Sequence, residues 1–147
     1  CIGSIYNRYK TKEINYFGGL SQKIPKMSVF FLIFTLGAIG FPGSSGFIGE
    51  FLTLMSVYSR STLVAFISSF GVILAATYML LLYKKVFLGP VNTNIDKKIN
   101  QLHFYETITF LALSLMILII GIKPNLILSY TTSSLDRIVS LYPITIF

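Results

Sequence analysis

Charge is scarce in this sequence. Asp, Glu, Lys and Arg make up 12% of its 147 residues while 54% are apolar, against about a quarter charged in ordinary soluble domains. That supply cannot coat a water-soluble globule, and the charges cluster in short stretches with long uncharged intervals between them. A membrane protein needs no such coat. Acids are scarcer still, 5 against 12 Lys and Arg. A basic surplus suits nucleic acid when it forms one patch or stripe, but here the cations sit between apolar runs, so no nucleic-acid partner is expected. Cys1 is the only cysteine and His103 the only histidine, which excludes an intrachain disulfide and a zinc site built from this chain alone. No bound metal or covalent cofactor is expected. The N-terminus shows neither an initiator Met nor a signal-peptide pattern, and the expectation is that something lies upstream or was removed.

What is present in quantity is apolar sequence of spanning length. A helix rising 1.5 Å per residue needs about 20 residues to cross a hydrocarbon core about 30 Å thick. Residues 61–83, STLVAFISSFGVILAATYMLLLY, contain no charge. Small residues at Ser68, Ser69, Gly71, Ala75 and Ala76 would let a neighbouring helix approach closely. Residues 27–58 form one apolar stretch too long for an untilted span, interrupted by Gly40, Pro42, Gly43, Ser44, Ser45 and Gly46. Pro42 removes an amide and pushes Phe41 away from helical geometry, so two half-helices are expected, 27–40 and 46–58. A soluble-type helical hairpin is the alternative, but irregular backbone at membrane depth persists only where protein or water satisfies it. A third span is read at 104–122 and is long enough if Glu106 sits one turn inside the interface. Pro124 should stop it. In the tail, Leu135, Ile138, Val139 and Tyr142 fall at helical spacing, which suits an interfacial helix or one packed on a partner chain.

The fold class expected is therefore an all-α membrane protein of three transmembrane spans, the first a discontinuous helix. A single membrane domain would comprise an inside loop and the end of a preceding helix at 1–26, the broken span at 27–58, spans at 61–87 and 103–122, and a tail at 123–147. Basic residues set its orientation. Arg8, Lys10, Lys12, Lys23, Lys26, Lys84, Lys85, Lys97 and Lys98 fall on one side and Arg60, Lys123 and Arg137 on the other. The N-terminal stretch and the 84–102 loop are thus placed inside and the C-terminus outside. Tyr58, Tyr78, Tyr83 and Tyr105 fit an aromatic interfacial belt or helix packing, and Phe30, Phe31 and Phe34 fit packing or lipid contact.

One residue stands against its surroundings. Glu50 lies four residues past Gly46 in the second half-helix, with no cation nearer in sequence than Arg60. Ionisable residues at membrane depth cost several kcal/mol, usually face a bundle interior or water cavity, and mark ion or proton paths. Desolvation favours the neutral acid and the positive end of a half-helix favours the anion. Glu50 is read as a proton carrier coupled to a cation from another part of the assembly; the alternative is an acid tied into a static salt bridge. A broken helix with an acid just past the break is an arrangement ion transporters use.

These residues resemble the antiporter-like membrane subunits of NADH:ubiquinone oxidoreductase, respiratory complex I. The run GGLSQKIPKMSVFFLIFTLGAIGFPGSSGFIGEFL, residues 18–52, is similar to that family's discontinuous twelfth helix, and GVILAATYMLLLYKKVFLG, residues 71–89, to the thirteenth. CIGSIYNRYKTKEINYFGGL, residues 1–20, looks like the end of the eleventh helix and its inside loop. The resemblance extends to about Ile122, and GFIGEF favours the subunit-4 type. It implies that Glu50 is the terminal proton-transfer acid on the outer side of the second half-channel, hydrated through the break. It also implies a longer subunit of which this chain carries the last three spans, so the chain is expected to be a piece of a split subunit or a partial chain. The central lysines and histidines and the Glu and Lys pair of the first half-channel would lie in earlier helices.

By the same resemblance the chain is a non-redox part of a proton-translocating NADH:ubiquinone reductase. It would carry no cofactor of its own, with NADH, FMN, iron–sulfur clusters and ubiquinone in partner subunits. Its partners would be the other membrane-arm subunits, including a chain supplying the N-terminal helices, and lipids. His103 is read as a solvated interfacial residue, with a proton relay as the alternative. Lys84 and Lys85 are read as anchors toward lipid head groups, with proton transfer as the alternative. Abundant Phe, Tyr, Ile, Lys and Asn suggest A and T-rich coding and favour the mitochondrial inner membrane over a bacterial one. Two other functions stay open: a subunit of a multi-subunit sodium/proton antiporter, and a purely structural membrane-arm piece.

Overall fold

In a computed structural model the described residues, 1–90 and 102–141, form seven α-helices and one 3-10 turn, with no strand among them. Lys97, Lys98 and Tyr142, invoked above for orientation and the tail pattern, lie outside these residues, as does most of the 84–102 loop. Helix α1, Ile2–Tyr9, ends in a left-handed Lys10 whose N–H donates to the Tyr6 carbonyl. A 3-10 turn at Ile14–Tyr16 and the short α2, Leu20–Lys23, lead to α3, Pro25–Ala38.

α3 begins two residues before the expected start at Met27. Pro25 occupies its first turn, where the missing amide costs nothing and the fixed φ is already helical. The chain then leaves helical geometry at Ile39 and re-enters it at Ser45, with Gly40 and Gly43 at φ +67° and +93°. Both angles lie in the left-handed region that side chains resist. α4, Ser45–Arg60, is capped by the Ser44 hydroxyl, which accepts from the Phe47 amide at 3.4 Å. The break therefore runs from Ile39 to Ser44, one or two residues earlier than expected at each edge. Ser45 and Gly46 belong to the first turn of α4, because Ser44 takes the cap position.

A single residue, Ser61, separates α4 from α5, Thr62–Phe87, and its hydroxyl caps α5 at the Val64 amide. At 26 residues α5 is about 39 Å long, more than the hydrocarbon core requires. None of its most apolar stretch is buried within the chain. α6, Phe104–Ile122, is the second helix long and apolar enough to cross a membrane. It ends at Lys123, and α7, Asn125–Leu141, follows Pro124 with Leu126, Ile127, Tyr130 and Leu135 exposed.

The core lies where α1, α2, the start of α3, the end of α5 and the start of α6 meet. Leu20, Met27 and Phe87 are fully buried there, with Ile5, Ile24, Phe31, Val86 and Phe110 around them. Phe31 packs on Phe87 at 4.9 Å between ring centres, Tyr83 stacks on Phe87 at 5.3 Å, and the Tyr83 hydroxyl is hydrogen-bonded to Ser28 at 2.9 Å. Away from this end Thr35, Ser44 and Ser114 are buried, while α4 has no buried residue. This is an all-α membrane protein with a discontinuous helix.

Candidate functional site

Backbone contacts hold the break in place. A Cβ at Gly46 would collide with the Gly37 carbonyl, so the first turn of α4 sits directly on the last turn of α3. A Cβ at Gly121, near the end of α6, would lie 2.6 Å from the carbonyl carbons of Gly43 and Ser44. Only glycine admits approaches this close. They bring α3, α4 and α6 together around the irregular segment, while Phe41, Pro42 and Gly43 are exposed and Ser44 is buried.

Glu50 turns back into this junction. A Cβ at Gly40 would stand 3.0 Å from the Glu50 Cδ and closer still to Oε2, so the carboxylate occupies the space that a side chain at Gly40 would fill. Glu50 is partly buried. Among the described residues no hydrogen bond or ion pair reaches its carboxylate, and Arg60, the cation nearest in sequence, is exposed at the far end of α4. Glu50 is thus a partly buried acid, unpaired among the described residues, beside the irregular segment; acids at membrane depth usually face a bundle interior or a water cavity.

The other singled-out residues lie elsewhere. His103 is the exposed residue preceding α6, and Lys84 and Lys85 are exposed in the last turn of α5. None of the three is in hydrogen-bond or ion-pair contact with Glu50.

A polar cluster that the sequence reading missed ties α1 to the start of α6. The Arg8 guanidinium forks onto Glu106, Nη2 to Oε2 at 2.6 Å and Nη1 to Oε1 at 3.0 Å. Nη1 also donates to the Ser4 hydroxyl at 2.5 Å and the Ser4 carbonyl at 2.9 Å, and that hydroxyl donates to Glu106. The Glu106 Oε2 accepts in addition from the His103 amide at 2.9 Å, closing the first turn of α6. Glu106 is thus a paired carboxylate at the positive end of a helix dipole, where an anion is favoured. The visible signal was local: an acid three residues after His103, at the head of an apolar run, is a helix-start pattern.

The profile of the family described as "NADH:quinone oxidoreductase/Mrp antiporter, TM" matches residues 1–76, which hold α1 to α4, the break and Glu50. The chain belongs to this family. Within this antiporter family it is similar to the NADH-quinone oxidoreductase subunit M of Rickettsia prowazekii, at 42% identity over 137 residues, 93% of this chain and 28% of that protein. The NADH-ubiquinone oxidoreductase chain 4 of Marchantia polymorpha is 37% identical over 139 residues, again 28% of its length. Among solved structures, a chain of respiratory complex I from Thermus thermophilus with bound NADH superposes with a TM-score of 0.75 at 36% identity, over 83% of this chain and 25% of that one. The chain therefore spans roughly a quarter of the length of these relatives of the antiporter family, whose names place it with the complex I antiporter-like subunits.

Proposed function

We propose that this chain is the C-terminal part of a proton-translocating membrane-arm subunit of respiratory complex I and that Glu50 is its outer-side proton-transfer acid. The observation that carries the reading is the seat of the Glu50 carboxylate against Gly40, where the chain leaves α3. Water entering at the break would hydrate the acid from one side. A cation supplied by another part of the assembly would modulate its charge from the other. In this reading the redox groups, NADH, FMN, iron–sulfur clusters and ubiquinone, belong to partner subunits, and this chain contributes proton transfer alone. Its partners are the other membrane-arm subunits.

Nine cations on one side against three on the other support an orientation with the N-terminal stretch facing the matrix and the C-terminus the intermembrane space. The A and T-rich residue usage supports a mitochondrial inner membrane.

The test is to separate gently solubilised membranes on a native gel, stain for NADH oxidation and identify this chain by mass spectrometry. Co-migration with the stained particle is expected. Absence from it would overturn the complex I assignment and favour the Mrp-type sodium/proton antiporter that the family description also covers. In the assembled particle, Glu50→Gln should leave NADH oxidation by the detergent-solubilised enzyme intact and lower proton pumping per NADH oxidised. Unchanged pumping would make the chain a structural piece.

A further inference from the structure

α1, the segment from Thr11 to Phe17, Phe31 of α3 and the end of α5 line a pocket of about 310 Å³. Its walls are almost wholly apolar, built from Ile5, Tyr6, Ile14, Phe17, Leu82 and Val86. Its size is at the lower end of the about 300–1,000 Å³ typical of ligand sites, enough for a stretch of hydrocarbon chain. The rim is basic. The left-handed turn at Lys10 reverses the chain after α1 and carries Lys10 and Lys12 back over the Tyr6 ring, with ammonium groups 5.9 and 5.4 Å from its centre. Lys12 itself lines the pocket, and among the described residues no carboxylate pairs with either lysine. Lys84 and Lys85 are exposed on the turn of α5 that also carries Val86, so this end of α5 reaches the membrane boundary.

An apolar recess opening at the membrane boundary under two uncompensated cations matches an amphiphile with a negative head. We propose that this pocket holds an acyl chain of an anionic phospholipid whose phosphate is bound by Lys12 and Lys10. Neutral amphiphiles satisfy the recess but leave the lysines unused, and a soluble anion satisfies the lysines but not the recess. The cation–π contacts with Tyr6 set where the ammonium groups stand without removing their charge. The site is distinct from Glu50 and requires no proton transfer, so it stands whether or not the pumping assignment does.

The test uses the intact membrane complex containing this chain, reconstituted into phosphatidylcholine vesicles carrying a trace of phospholipid with a photoreactive group on one acyl chain. The head group is phosphatidylglycerol in one arm and phosphatidylcholine in the other. Each lysine near a membrane surface favours an anionic lipid about fivefold. The phosphatidylglycerol probe should therefore label peptides carrying Ile14, Phe17 and Val86 about 25-fold more than the phosphatidylcholine probe. Lys10→Gln with Lys12→Gln should bring that ratio to about 1, and Lys12→Gln alone to about 5. Ile14→Trp, which fills the recess and keeps both lysines, should lower labelling by both probes. Only variants recovered as assembled complex on a native gel are compared. Equal labelling by the two probes, a ratio unmoved by the lysine changes, or peptide-to-peptide cross-links showing another polypeptide in the recess would each overturn the proposal.

Discussion

The carboxylate of Glu50, in the second turn of α4, occupies the space that a β-carbon at Gly40, the left-handed residue just after α3, would fill. A side chain at position 40 meets two penalties. The φ of +67° costs a non-glycine residue about 1–3 kcal/mol, and the new methyl group displaces the carboxylate. Gly40→Ala should therefore lower the thermal stability of the assembled complex and its proton pumping together. Adding Glu50→Asp, which withdraws the carboxylate by one methylene, relieves the collision and leaves the backbone strain. Stability should then recover in part. Gly49→Ala is the control: among the described residues nothing lies within 4 Å of a Cβ there, and in a helix interior the change should be neutral or stabilising by up to about 1 kcal/mol. Equal behaviour of the Gly40 and Gly49 variants would show that the Gly40 contact has no consequence.

Arg8 and Glu106 join segments 98 residues apart in sequence, with side chains 11% and 25% exposed. Breaking a fully buried pair costs about 3–5 kcal/mol, whereas exposed pairs contribute about 0–1 kcal/mol. Partial exposure places this one between those limits, at about 1–3 kcal/mol. Arg8→Gln and Glu106→Gln should each destabilise the chain by that amount. The double variant should cost less than their sum, because neither charge is left alone. Arg8→Lys keeps the charge and loses the fork, so its cost should fall below that of Arg8→Gln without vanishing. Thermal dissociation of the complex, followed on native gels, measures all four, and strict additivity in the double variant would show that the two side chains act independently.

The break was legible because its cause is local. Pro42, the glycines and the serines deny a helix at that point whatever surrounds them; the break ends earlier than expected because Ser44 caps α4, and α3 starts earlier because Pro25 occupies its first turn. Glu50 stood out for the same kind of reason, as an acid in an apolar run. That it faces Gly40 depends on how α4 re-enters after two left-handed turns, and no short-range pattern specifies that angle. The Arg8 and Glu106 pair was illegible for a related reason: each residue read alone is an end-of-helix charge, and only the packing of α1 on the head of α6 unites them. The pocket at Tyr6 was likewise hidden, since Lys10 and Lys12 read as two cations among nine until the left-handed turn places them together.

The packed end of the chain should answer differently to two conservative-looking changes. Phe87 is fully buried between Phe31 and Tyr83, and truncating a buried Phe to Ala costs about 3–5 kcal/mol. Tyr83→Phe keeps the stacking and removes only the hydroxyl bound to Ser28, a loss of about 0.5–1.5 kcal/mol. Phe87→Ala should therefore deplete the chain from the assembled complex, while Tyr83→Phe leaves its abundance near normal with a small fall in thermal stability. Quantitative mass spectrometry of the complex separates the outcomes, and comparable depletion by both would mean that the hydroxyl, not the ring packing, organises this end.

Gly121 places α6 against the break itself, with no space between its α-carbon and the backbone of Gly43 and Ser44. The obstruction is main chain, which a rotamer change cannot relieve, so the methyl of Gly121→Ala must move α6 or distort the segment that positions Gly40 and the cap at Ser44. Gly46→Ala meets the Gly37 carbonyl in the same way from the other side. Each variant should lower proton pumping even where NADH oxidation by the solubilised complex is unchanged, because each perturbs the break without touching a titrating group. Gly71→Ala, with nothing within 4 Å of its Cβ among the described residues, should leave the break undisturbed. Pumping per NADH oxidised, compared across the three at equal amounts of assembled complex, is the deciding quantity. Normal pumping in both Gly46→Ala and Gly121→Ala would mean that the geometry of the break does not govern the path to Glu50.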